Sequence, residues 1–164
     1  MLYVIAHNIR SAYNVGSLFR TADGSGVNKI FLTGYTPVPA TKNAIYVSGF
    51  QKMIAKTALG AEISVPWEKK KTVGEVIELL RQEKFEIVAL EQSPKSVPYD
   101  AYIPKCPRIA LIVGNEPKGI HTRTLEKCDA VIEIPMRGSK NSLNVSVAFG
   151  IAAYSLLRNR EMGV

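Results

Sequence analysis

Three short runs, "EIVALE" at residues 86–91, "RIALIVG" at 108–114 and "AVIEIP" at 130–135, are rich in β-branched residues and apolar throughout their centres. A strand with one wet face alternates apolar and polar side chains, so an unbroken apolar centre marks a strand covered on both faces. Two further runs, "LYVIA" (2–6) and "KIFLT" (29–33), read the same way, and a weaker strand is predicted in "EISVPW" (62–67). Between them lie segments of helical period. "NVGSLFRTADGSG" spaces Val15, Leu18, Phe19 and Ala22 for one face and ends in the glycines expected past a helix terminus. "GFQKMIAKTAL" predicts a short helix, and "TVGEVIELLRQEK" predicts a well-marked one, in which Thr72 and Glu75 have capping-box spacing. The expected fold is α/β: a mostly parallel sheet of about six strands with helices on both faces. In such sheets ligands bind beyond the carboxyl ends of the strands. The turn-rich loops "QSPKSVPYDAYIPK", "NEPKGIH" and "MRGSKNS", which follow the last three runs, therefore become the candidate site.

The 164 residues, 46% apolar and 21% charged, suit one soluble domain over residues 1–164. The opening "MLYVIAHN" has no export-signal pattern, and the longest apolar run, "VSVAFGIAAYSLL", falls short of the ~20 residues a membrane helix needs. Cys106 and Cys128 form no framework and read as reduced thiols, which points to the cytoplasm. The net charge is +7, and residues 1–61 carry six basic side chains (Arg10, Arg20, Lys29, Lys42, Lys52, Lys56) against the single acid Asp23. A one-signed field of this kind attracts polyanions, foremost phosphate backbones. The run Lys69-Lys70-Lys71 reads as a solvated turn, and "TGYTPVPATK" (33–42) as a surface loop.

Several chemistries lack their residues. There is no G-x-x-x-x-G-K-[ST] and no G-x-G-x-x-G after a strand; Gly24-Ser25-Gly26 follows a helix and serves to end it. His7 and His121 have no partner at metal-ligand spacing, so no metal is expected, and no G-x-S-x-G elbow occurs. What remains is a set of polar side chains with hydrogen-bonding forks: Asn14, Arg20, Asn115, Glu116, Ser142 and Asn144. Ser142 and Asn144 also stand where a helix begins, so capping accounts for one of them.

Three stretches, "NIRSAYNVGSLFRTADGSGV" (8–27), "LIVGNEPKGI" (111–120) and "IPMRGSKNSLNVSVAFGIAAY" (134–154), resemble the signature motifs of the SpoU family of RNA ribose 2′-O-methyltransferases, within the SPOUT superfamily. All three occur in the family's order. The resemblance implies a deep trefoil knot near the C-terminus, a homodimer, and S-adenosylmethionine as methyl donor. It implies donor contacts, largely through backbone groups, at Leu90, Gly114, Ile134, Met136, Ser142 and Leu143. It implies a reacting centre of Asn14, Arg20, Glu116, Ser142 and Asn144, with the arginine of one protomer serving the partner's pocket.

The family's arginine is a proposed base. A guanidinium with a reference pKa of ~12.5 or more stays protonated at neutral pH, so a clamp on the phosphate beside the target ribose is the easier role for Arg20. Arg10, Arg20, Lys42 and Lys52 are the expected RNA contacts. The chain starts directly on its first strand, a minimal form similar to the family's stand-alone members, so transfer RNA, and within it the anticodon wobble ribose, is expected ahead of ribosomal RNA. A knotted RNA-binding protein without catalysis and a base methyltransferase of the same superfamily are the alternatives.

Overall fold

The protein was analysed as a computed structural model that describes residues 1–41, 43–115 and 118–162. The elements run β1 (Leu2–His7), α1 (Ala12–Ser25), β2 (Lys29–Thr33), α2 (Gly49–Ala58), α3 (Ala61–Ser64), β3 (Trp67–Lys70), α4 (Val73–Gln82), β4 (Glu86–Leu90), β5 (Val97–Pro98), β6 (Ile109–Val113), α5 (Thr122–Leu125), β7 (Ala130–Glu133) and α6 (Val145–Met162). The strands form one sheet in the order β3-β2-β1-β6-β4-β7-β5. Every pairing is parallel, with Ile5 of β1 set between Phe31 of β2 and Ile112 of β6, and Ala89 of β4 between Ile112 and Val131 of β7. All strand carboxyl ends therefore open on one edge.

Both faces of the sheet are covered, which is why its central strands are apolar without alternation. On one face Leu2, Val4, Leu32, Val88, Leu111 and Ile132 pack under α1, α2 and α6. On the other, Ile5, Phe31, Ile87, Ala89 and Ile112 pack under Val76, Ile77 and Leu80 of α4. Each such fully buried side chain contributes about 1.5–3 kcal/mol. Local chemistry sets the helix limits. Ser11 caps α1, and Gly26, at φ 76°, closes it. Thr72 and Glu75 form the predicted capping box of α4, and Ser48 and Gln51 form another on α2.

The structure departs from the sequence reading at four places. The sheet has seven strands; the added one, β5, is two residues long and continues into a Tyr99 N–H bond to the Glu133 carbonyl. The strand expected in 62–67 is displaced. Residues 61–64 turn helically because the Val65 N–H bonds back to the Ala61 carbonyl, and pairing with β2 starts only where the Pro66 carbonyl accepts from Ile30. Lys69 and Lys70 consequently belong to β3, at the sheet edge, with Glu68 bridging Lys29 and Lys70 at 2.9 and 2.7 Å; Lys70 in turn holds the Glu68 carboxyl below its ordinary range. The 33–42 loop is anchored, since Thr36 is buried and bonds three backbone groups.

Helix α6 is tied to the segment between β5 and β6. The Asn159 amide donates to the Tyr102 and Asp100 carbonyls at 3.0 and 3.4 Å, and the Ser155 hydroxyl donates to the Tyr99 carbonyl. The same segment is held from below: the buried Glu86 carboxylate accepts from the Tyr102 hydroxyl and from the Lys105 and Cys106 N–H groups. Both cysteines are free; burial and the nearby Asp129 push the Cys128 thiol up to about 12, leaving it protonated. No described helix is long and apolar enough to cross a membrane. Asn159→Leu should strand the buried Tyr102 carbonyl and destabilise the fold by about 1–3 kcal/mol. Denaturant unfolding would read this loss as a lower midpoint at unchanged slope.

Candidate functional site

Beyond the carboxyl ends of β4, β6 and β7 lies a cavity of about 560 Å³, within the range of small-molecule sites. It is bounded by described residues of the three loops that the sequence singles out, 92–105, 115–121 and 136–142, by the residues flanking them, and by the start of α6. All six positions expected to meet the donor, Leu90, Gly114, Ile134, Met136, Ser142 and Leu143, line it. Its wall is mixed: Val113, Ile120 and Val145 add apolar surface, and the loops add backbone and polar side chains.

Two side chains that the sequence reading did not single out hold the loops together. The Glu91 carboxylate accepts from the Ile120 N–H at 2.8 Å through one oxygen and from the Gln92 N–H at 2.9 Å through the other, tying the loop after β4 to the loop after β6. The Gln92 amide donates to the Asn141 carbonyl at 2.7 Å, tying the same loop to the one after β7. The only signal available in advance was a polar pair placed directly after an apolar strand. Asn115 closes the third side: its amide donates to the Asn8 carbonyl at 3.0 Å and to the Tyr35 hydroxyl, and its oxygen accepts from Lys118 N–H.

Ser142 and Asn144 divide their work. Asn144 caps α6, its oxygen accepting from the Ser146 N–H at 2.9 Å and the Ser146 hydroxyl at 2.6 Å, whereas Ser142 faces the cavity. The Asn144 amide also donates to Asn14 Oδ1 of α1 at 3.1 Å, which brings the first and third motifs together at the cavity rim. Arg20 lies on the same helix as Asn14 but is exposed and outside the cavity lining. Arg10 and Lys52 are exposed, before α1 and on α2 respectively. Glu116 and Lys42 lie outside the described residues.

Neither histidine belongs to a metal-ligating group, and among the described residues there is no cluster of three His, Cys, Asp or Glu side chains fit for one. His121 caps α5 by accepting from the Arg123 N–H. His7 is half-buried, and burial lowers its pKa. Asn8 Oδ1 accepts from the Tyr35 N–H, so its amide nitrogen points at His7 Nε2, and the neutral ring donates from Nδ1 to Thr33 Oγ1 at 2.9 Å.

Comparison with known proteins agrees with this arrangement. Residues 1–154 match the model of the SpoU rRNA Methylase family, and the chain belongs to that family. A curated relative, the 23S rRNA (guanosine-2′-O-)-methyltransferase RlmB of Escherichia coli K12, is 32% identical over 158 residues, 96% of this chain and 60% of that protein. The chain thus spans about 60% of the length of the curated relatives it matches. Among solved structures, the A. aeolicus TrmH/SpoU tRNA modifying enzyme is 31% identical, with a TM-score of 0.80 over 98% of this chain and 76% of that one. An AdoMet-bound rRNA methyltransferase from Sinorhizobium meliloti is 26% identical, with a TM-score of 0.83 over 97% of this chain and 56% of that one. The mostly parallel α/β architecture is shared with both.

Removing the Glu91 carboxylate frees the Ile120 and Gln92 N–H groups and separates two walls of the cavity. Glu91→Ala should destabilise the fold by about 1.5–3 kcal/mol, the worth of hydrogen bonds to a charged group, read as a lower midpoint in denaturant unfolding.

Proposed function

We propose that this chain is an S-adenosylmethionine-dependent RNA ribose 2′-O-methyltransferase. The observation that carries the reading is that Leu90, Gly114, Ile134, Met136, Ser142 and Leu143, drawn from the end of β4 and the loops after β6 and β7, surround one cavity. The lining fits the donor: apolar side chains suit an adenine face, and loop backbone groups beside Ser142 suit its polar edges. The bound donor supplies a sulfonium methyl, so that the ribose oxygen forms the new C–O bond while the C–S electron pair stays on sulfur.

The protein's task is then to align the hydroxyl behind that methyl and to let its proton leave. Arg20 clamps the phosphate next to the target ribose through its two-pronged guanidinium. Asn14 and Asn144, bonded to each other, fix α1 against the donor loop, and Ser142 and Glu116 orient the groups that meet at the methyl. Arg10, Lys42 and Lys52 add phosphate affinity without reading sequence.

The exposed position of Arg20, away from the cavity lining, supports a homodimer in which each arginine serves the partner's cavity. Tyr13, Val147 and Tyr154, exposed on α1 and α6 near it, supply apolar surface for that contact. The ties from Ser155 and Asn159 to residues 99–102 support the trefoil knot that the motifs imply.

Transfer RNA in the cytoplasm is the substrate to test first, on the chain's likeness to the A. aeolicus tRNA modifying enzyme. Ribosomal RNA is the second reading, favoured by the likeness to the 23S rRNA enzymes.

Incubation with labelled donor and separate tRNA and ribosomal RNA pools, followed by nuclease digestion and mass spectrometry, should yield a 2′-O-methylated nucleoside. A methyl on a base, or on no RNA at all, overturns the proposal. In a second test, run at donor concentrations well below the wild-type Kd, Arg20→Ala and Glu91→Ala each lose most activity alone, the Glu91 change by weakening donor binding tenfold or more, in line with ~1.5–3 kcal/mol for hydrogen bonds to a charged group. Co-expressed, they should recover about a quarter of wild-type activity, because half the dimers are mixed and each mixed dimer of closed two-fold pairing regains one complete site. No recovery would return Arg20 to its own protomer's cavity.

A further inference from the structure

Tyr35 stands in the 34–36 turn with 58% of its surface open to solvent. Exposed aromatics usually sit on loosely held side chains, but this one is fixed at both ends, by the backbone of its turn and by its hydroxyl. Its N–H donates to Asn8 Oδ1 at 3.3 Å, and its hydroxyl accepts from the Asn115 amide. The carbonyls of the residues before and after it, Gly34 and Thr36, both accept from Lys69 Nζ, at 2.7 and 2.8 Å. Thr36 is buried and bonds Ala6 O, Thr33 O and Ile9 N–H. The turn also needs special backbone, since Asn8 and Gly34 adopt φ of 57° and 63°, and a side chain on Gly34 would collide with Asn8 Oδ1. A large apolar ring is thus immobilised in water, where it contributes little to the core.

Its place is informative. Tyr35 follows β2 at the edge where the strand carboxyl ends open, and it is one hydrogen bond from Asn115, which lines the cavity. Lys69 Nζ holds the carbonyls on either side of Tyr35, which sets one ammonium against the turn, and the Gly34 N–H donates to the Lys71 carbonyl. Residues 1–61, which include Tyr35, carry a single acid, Asp23. A rigid ring face next to positive charge matches single-stranded nucleic acid, whose bases stack on aromatic platforms while its phosphates seek lysine. A nucleotide drawn from a loop or single strand into a cavity leaves its base unstacked, and an unstacked base needs a replacement face.

We propose that Tyr35 is the stacking platform for an unstacked base of the RNA at the mouth of the cavity, a substrate-positioning role at the proposed active site. It rests on the RNA substrate proposed above. The ring is locked before RNA arrives, so stacking costs no further side-chain ordering. The hydroxyl bond to Asn115 also sets the distance between platform and donor loop.

The test uses fluorescein-labelled random-sequence single-stranded RNA in anisotropy titrations, together with donor calorimetry and methyl-transfer kinetics. Tyr35→Ala should weaken RNA binding about five- to a hundredfold, the range expected for one lost base–aromatic stack. It should raise KM for RNA while donor affinity stays at the wild-type value. Tyr35→Phe and Tyr35→Trp, which keep a ring, should bind RNA within about threefold of wild type. The slope of affinity against salt should be unchanged in Tyr35→Ala and shallower in Lys52→Ala, because only the lysine releases counterions.

If Tyr35→Phe fails as badly as Tyr35→Ala and both lose donor affinity, Tyr35 is a prop for Asn115 and the platform is overturned. Unchanged RNA affinity and KM in Tyr35→Ala, or a change in self-association alone, overturns it too. A wild-type protein that transfers no methyl yet shows the Ala–Phe contrast overturns the enzymatic reading and leaves the platform standing.

Discussion

The pairing of β4 between β6 and β7 is the constraint on which the site depends. Because all three strands run parallel, their carboxyl ends emerge side by side, and the loops that follow must turn away within a few ångströms of one another. Loops so crowded must satisfy one another's backbone groups, since a buried, unpaired N–H costs about as much as a lost hydrogen bond. The Glu91 carboxylate and the Gln92 amide meet that demand, and the space left between the tied loops is the cavity.

The same economy extends to the other half of the sheet. Asn115, on the loop after β6, bonds the Asn8 carbonyl after β1 and the Tyr35 hydroxyl after β2, so the polar groups at the strand ends form a connected set. His7 belongs to it in neutral form, passing a hydrogen bond from Asn8 to Thr33. Such networks, when every member is satisfied, rigidify the region they cross. The first motif joins through Asn14 and Asn144, so motifs far apart in the chain share one rim. Displacement of any loop is then felt by the others.

Much of this was legible in the chain. The apolar centres of β4, β6 and β7 announced a doubly covered parallel sheet, Thr72 and Glu75 announced a helix start, and the three motifs announced the family and the loops that build the cavity. The elements that escaped reading are those whose conformation is set by a distant partner. Residues 61–64 turn helically and Trp67–Lys70 pair with β2 because Pro66 defers the ladder, which a local propensity for strand does not encode. Val97–Pro98 become a strand only because β7 offers a free edge. Glu91 and Gln92 looked like ordinary loop polarity, since the loops they tie, through the Ile120 N–H and the Asn141 carbonyl, lie 29 and 49 residues away.

The sequence by itself determined the central strands and the main helices, the sign of the charge on the first third, and the family, because periodicity, capping pairs and motif order are local properties of the chain. Only the tertiary structure decided that Asn144 caps α6 while Ser142 faces the cavity, that Arg20 stands outside it, and that Tyr35 is held rigid in solvent. Those outcomes depend on hydrogen bonds and burial between residues brought together by the parallel sheet, and side chains of the same type acquire different roles according to what that packing sets opposite them.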